Sequence, residues 1–153
     1  MEAYLEQFLG QLRTLHDGIG KAVDGLPLEA IDWSPGPEMN SIGVLMVHVA
    51  GSEKHWLGDV IAGEETGRDR EAEFRSRGRD LASLQAGLDE MLEYARRVVS
   101  RLRIEDLAEE RTAYADGRTM PVGLCLLHVM QHTAVHLGHI QLTRQLWEAT
   151  GRT

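Results

Sequence analysis

Four histidines, His128, His132, His136 and His139, fall within twelve residues at spacings of four, four and three. Successive residues of an α-helix turn by about 100°, so positions three and four apart share a face. On one helix the four imidazoles occupy an arc of roughly 80°. Two imidazoles one turn apart can converge on a single ion, as the two histidines of HExxH zinc sites do. The His-x-x-x-His spacing occurs twice here, as His128/His132 and as His132/His136, and spacing alone does not choose between the pairs. No glutamate stands beside the first histidine of either pair, so the general base of a zinc protease is missing. A lone histidine on an apolar face is usually a core residue with a satisfied partner. Four on one face would all have to be desolvated, which is costly, and clustered histidine is a cue for metal.

His48 stands among Val, Met and Ala and reads equally as a buried structural residue and as a third ligand from a second helix. His48, Ser52, His55 and Asp59 share a face there, whereas Glu53 lies roughly 140° around from His48. His55 reads as an exposed residue or an outer group of the site. His16 reads as a surface or boundary residue. Three neutral imidazoles leave a position open for water or substrate, as catalytic rather than structural zinc sites do. A divalent ion there can lower the pKa of a bound water or bind and activate a thiolate. Such ligands suit zinc or nickel first, with iron or manganese as alternatives, and availability decides among them. Protons compete for neutral imidazole below the reference histidine pKa of about 6.5. Cys125, the single cysteine, begins the last helix amid leucines and reads as a buried, inert thiol rather than a nucleophile.

Four long helical segments must position these residues. The first runs from Ala3 to Val23, where Leu5, Phe8, Leu12, Leu15, Ile19 and Ala22 recur at three and four. A short turn over Leu28–Trp33 precedes Ser34-Pro-Gly-Pro37, which cannot continue a helix. The second helix starts at a cap on Asn40 or Ser41 and continues to about Ile61. Gly63 to Gly78 is charge-dense and reads as too hydrophilic to bury. The third helix follows an Asp80 N-cap, with Leu81, Leu84, Leu88, Met91, Leu92, Ala95, Val98, Val99 and Leu102 on its apolar face. Glu105 to Arg118 reads as a surface loop with a short extended piece at Thr112-Ala-Tyr and a turn at Asp116-Gly117. Pro121 opens the fourth helix, which runs to about Thr150. The pattern predicts one all-α domain over residues 1–153, an antiparallel four-helix bundle with a long crossover as its second connection.

Composition excludes several function classes. A net charge of −8 disfavours nucleic acid as a partner. The arginines of 68–79 and 96–103 are interrupted by acidic residues and read as solvated faces. No apolar run approaches the roughly 18 residues of a membrane span. The acidic start, Met-Glu-Ala-Tyr-Leu-Glu, does not suit a signal peptide. One cysteine forms no intramolecular disulfide and fits a reducing cytosol, so the cytoplasm is the expected location.

Two stretches resemble a known family. Ser41-Ile-Gly-Val-Leu-Met-Val-His48-Val-Ala-Gly-Ser-Glu-Lys-His-Trp56 is similar to the second helix of the DinB/YfiT-like proteins, where a Ser-Ile-Gly opening leads to a metal-binding histidine. Leu127-His-Val-Met-Gln-His132-Thr-Ala-Val-His136-Leu-Gly-His-Ile140 resembles that family's fourth-helix signature. The usual Arg-Gly-Gln-Ile ending is Leu137-Gly-His139-Ile140 here, so His139 stands where glutamine is common. The resemblance spans the whole chain in helix order and implies a metal triad of His48, His132 and His136. It also implies a small-molecule substrate, in particular a low-molecular-weight thiol such as bacillithiol or mycothiol. A related fold supports thiol-dependent maleylpyruvate isomerisation. Two function classes follow: a metal-dependent transferase or hydrolase, and a non-catalytic metal-binding stress-response module. Metal closed off by a fourth protein ligand, His128 or His139, would favour the second. The resemblance, with apolar residues such as Leu142 and Trp147 beyond one stripe per helix, also predicts a homodimer.

Overall fold

The computed structural model describes residues 2–113 and 117–151. Four long helices carry the fold. Helix α1 spans Ala3–Val23 and buries its 5/8/12/19/23 stripe. After a single-turn helix α2 (Leu28–Asp32), helix α3 spans Ile42–Lys54. Its N-cap is Ser41, whose hydroxyl accepts from the Val44 amide at 3.3 Å. The chain then widens into a π-helical segment, His55–Ala62, which ends at Gly63. Gly63 holds φ +67°, a left-handed conformation that a side chain would strain.

Residues 63–80 form the crossover, and it is not wholly a surface loop. Asp69 caps a short helix α4 (Arg70–Phe74), and Glu73 on it is buried. The expectation that this stretch stays outside fails because Arg68 and His48 satisfy the Glu73 carboxylate there. Helix α5 (Leu81–Val99) starts at Asp80, which accepts from the Ser83 amide at 2.8 Å. A 3₁₀ turn (Ile104–Ala108) leads to a two-stranded antiparallel ribbon, β1 (Glu110–Thr112) with β2 (Thr119–Pro121). The extended piece expected at Thr112 is therefore present and paired. Tyr114 and Asp116, also named in that expectation, lie outside the described residues. Helix α6 spans Val122–Ala149.

The crossover decides the arrangement. Gly18 meets Leu137 and the Arg144 guanidinium donates to the Ala22 carbonyl, so α1 and α6 run parallel. Gly20 meets Gln85 while Glu2 accepts from the Ile104 amide, so α1 and α5 run antiparallel. Trp56 packs on His128 and His48 on His132, so α3 and α6 run antiparallel. The all-α helical bundle expected from the sequence is what forms.

The interior divides into two apolar clusters. One gathers Leu5, Phe8, Leu12, Trp56, Leu57, Val99, Leu126 and Val129. The other gathers Ile19, Val23, Ile42, Val49, Leu84, Leu88 and Ile140. Each fully buried Leu or Ile contributes about 1.5–3 kcal/mol relative to exposure. Between the clusters lies a buried polar layer of His16, Ser52, Glu53 and Thr133. His16 is therefore interior, not the surface or boundary residue its place beside the α1 stripe suggested, because Glu53 pairs with it across the bundle at 2.9 Å. No helix among the described residues is long and apolar enough to cross a membrane.

Candidate metal centre

The histidine face of α6 turns toward α3 at the level of the polar layer. His132 Nε2 lies 3.2 Å from His48 Nε2 and 3.2 Å from His136 Nε2. One nitrogen from each of the three lies within 4.8 Å of the others, so the three can hold one ion. Bonds of about 2.0–2.1 Å at tetrahedral angles separate two ligand nitrogens by roughly 3.3 Å. The two spacings from His132 match that separation, and the 4.8 Å bound on the set leaves the three within reach of one ion.

The electrostatics favour neutral rings. Burial, and next the neighbouring His136 and His48, push His132 down to about 3. Burial, then His48 and His139, push His136 down to about 4. Both nitrogens thus keep their lone pairs at neutral pH. His48 is oriented from behind: its Nδ1 lies 2.9 Å from Glu73 Oε2. Arg68 clamps the same carboxylate through Nε at 2.6 Å and Nη2 at 2.9 Å. Burial raises the Glu73 pKa, but the hydrogen bonds from Arg68 and His48 outweigh it and hold the carboxyl below its ordinary value. An ionised Glu73 accepts the Nδ1 proton of His48 and leaves the Nε2 lone pair aimed at the other two rings. A side chain at Gly51 would collide with the Glu73 carboxylate, so glycine is what lets α4 press against α3 here. The Phe74 ring packs on His48 at 4.9 Å.

The remaining histidines flank the triad. His139 is exposed, with Nδ1 3.4 Å from His136 Nδ1, on the side of that ring turned away from the convergence point. His128 packs on Trp56 at 4.5 Å, and burial lowers its pKa. Neither belongs to the group of three. His55 is buried, contrary to its reading as exposed: Asp59 pairs with its Nδ1 at 3.2 Å, and Arg118 lies 3.3 Å from its Nε2. The sequence reading missed Glu73, Arg68 and Phe74 entirely. The one available signal was Asp69 as an N-cap inside a charged stretch. Cys125 is fully buried, and burial pushes its thiol up to about 11, so it is inert as expected.

The family model described as Mycothiol-S-transferase matches residues 5–149. The chain belongs to that family. Solved structures place this mycothiol S-transferase family member among DinB-like folds. A DinB-like protein from Bacillus cereus ATCC 10987 superposes with a TM-score of 0.73 at 18% identity, over 97% of this chain and 93% of that one. A conserved protein from Enterococcus faecalis gives a TM-score of 0.73 at 15% identity, over 95% and 97%. At such identities the likeness speaks for the fold alone. No curated protein matches this family member in sequence.

Proposed function

We propose that the chain is a metal-dependent S-transferase that joins a low-molecular-weight thiol, of the mycothiol or bacillithiol kind, to a small electrophile. His48, His132 and His136 hold one divalent ion, zinc or nickel first. The convergence of their three Nε2 atoms carries this reading. An ion bound there supplies a Lewis acid that favours thiolate over thiol. The chain's own groups keep the three lone pairs available: Arg68 holds Glu73 ionised, Glu73 fixes His48, and burial keeps His132 and His136 unprotonated. In the reaction the thiol proton leaves to solvent, sulfur bonds to the electrophilic carbon, and the leaving group departs with its electron pair. Among the described residues three histidines converge without a fourth ligand, with His128 and His139 both outside the group, which favours this over a closed structural site.

Protein purified without an affinity tag should carry metal and speed conjugation of mycothiol or bacillithiol to monobromobimane. The acceleration should vanish on chelation and return with zinc or nickel. A fully loaded protein that leaves the uncatalysed rate unchanged with both thiols would point to the non-catalytic module instead.

The same reading places the protein in the cytoplasm as a homodimer. Leu124, Leu127, Val135, Leu142 and Leu146 are all exposed along α6. Trp147, expected to contribute, does not: it is buried within the chain against Trp33 at 5.6 Å. Sedimentation at micromolar concentration should give twice the chain mass, and Leu127→Glu with Leu142→Glu should give a monomer. A monomeric wild-type protein would remove this part of the reading.

A further inference from the structure

Among the described residues, three buried side-chain atoms have no hydrogen-bond partner: His16 Nδ1, Glu53 Oε2 and His132 Nδ1. All belong to the polar layer or border it. Glu53 is 1% exposed, and its other oxygen, Oε1, is occupied twice. It receives Thr133 Oγ1 at 2.8 Å and faces His16 Nε2 at 2.9 Å. Thr133 follows His132 in α6, so the carboxyl group is tied to the backbone that carries the central histidine of the triad. Burying a carboxyl group and an imidazole between two apolar clusters costs more than filling that space with aliphatic side chains. Stability alone therefore gives no reason for the layer to be polar.

The three members of the triad are supported unequally on their far nitrogens. His48 Nδ1 has Glu73 at 2.9 Å, and His136 Nδ1 has His139 at 3.4 Å. His132 Nδ1 is enclosed and has nothing. If Nε2 of His132 is given to an ion, the ring proton must sit on Nδ1, where it needs a buried acceptor. Of the two other unpartnered atoms, His16 Nδ1 belongs to a ring on α1 already turned toward Glu53. Glu53 Oε2 lies on α3, the helix that faces α6, and is held next to Thr133.

We infer that Glu53 is the positioning residue for His132: its free oxygen Oε2 accepts the Nδ1 proton of His132 when Nε2 ligates, as Glu73 does for His48. The inference rests on His132 being a ligand. It adds that two carboxyl groups on opposite sides of α3, Glu73 from the crossover and Glu53 from the helix itself, set the tautomers of ligands on two helices. Thr133 and His16 then have the task of aiming Glu53 by occupying Oε1.

Zinc titration of the whole protein, monitored by calorimetry and by long-range ¹H–¹⁵N spectra of the imidazoles, tests this. In the zinc-loaded wild type, His132 should be protonated at Nδ1, with that proton slow to exchange and in contact with the Glu53 side chain. Glu53→Gln keeps the shape and should weaken zinc binding about 10–100-fold. It should also speed exchange of the His132 Nδ1 proton while leaving that of His48 unchanged. Thr133→Val, which frees Oε1 without touching the ring, should weaken binding by less. Should Glu53→Gln not fold, the wild-type spectra decide alone. A His132 that ligates through Nδ1, or an Nδ1 proton exchanging as fast as that of an exposed imidazole, would overturn the assignment. So would a folded Glu53→Gln with unchanged zinc affinity and exchange. A wild-type protein that binds no zinc or nickel would instead sink the metal-centre reading on which the inference stands.

Discussion

Replacing His132 with alanine should abolish tight metal binding, and with it the thermal stabilisation that metal confers. His132 Nε2 is the atom 3.2 Å from both His48 Nε2 and His136 Nε2, so its loss removes the central nitrogen of the three and leaves only two imidazoles. The loss should exceed the roughly 10–100-fold that removal of a supporting partner costs. Metal should bind the folded chain preferentially, because unfolding separates His48 from the α6 pair. At a hundredfold excess of free metal over Kd the wild type should gain about 2.7 kcal/mol. For a chain of this size that is roughly 5–10 °C in Tm. The His132→Ala protein should show none of this gain in a melting series with and without metal. Tight binding of one equivalent by a triple variant lacking His48, His132 and His136 would refute the assignment.

The metal-free protein should lose stability as the pH falls through mild acid. The folded pKa values of His132 and His136 lie at about 3 and about 4, below the ordinary histidine value of 6.5 that the unfolded chain approximates. Between these limits the unfolded state binds protons that the folded state refuses, so acid favours unfolding. The contribution is complete above about 6.5 and is lost progressively as the pH falls toward 4 and then 3. Each group gives a slope no steeper than about 1.4 kcal/mol per pH unit, and the partial exposure of both rings reduces it. Glu73 acts in the same direction but lower, because its depressed pKa favours folding above the ordinary glutamate value of 4.5 and that contribution fades below it. Melting curves in chelator from pH 7 to pH 4 should therefore slope downward in the wild type. The slope should be clearly shallower in a His132→Gln/His136→Gln variant. Equal slopes would contradict the depressed pKa values. The same shifts bear on metal competition: at His132 and His136 protons rival the ion only near pH 4 and below, well under the mild acid that reference pKa values suggest.

What was legible in the sequence was whatever rests on local periodicity. The α1 stripe, the Ser41 and Asp80 caps and the histidine face of α6 are all statements about neighbours within one helix, and the structure places them as read. What failed depended on partners distant in the chain. His16 looked peripheral because Glu53, 37 residues later, is invisible to a helical wheel. His55 looked exposed because the π-helical segment buries every residue from His55 to Ile61, a register that a 3.6-residue period does not anticipate. Glu73 sits in the most charged connection of the chain, where hydrophilicity argues for solvent. Only the pairing with Arg68 and His48 reverses that argument. The choice of the His132/His136 pair over His128/His132 came from the family register, since both pairs have the same spacing.

The crossover has a kinetic consequence. It joins two helices that run the same way, and it also supplies Glu73 to His48, 25 residues upstream, while His48 meets His132 across 84 residues of chain. Contacts of such separation close only after the chain has paid most of its loop entropy, so they form late in folding. Interactions absent from the transition state slow unfolding and leave the folding rate nearly unchanged. An ion held at this point would therefore act as a latch, lengthening the lifetime of the native bundle without speeding its assembly.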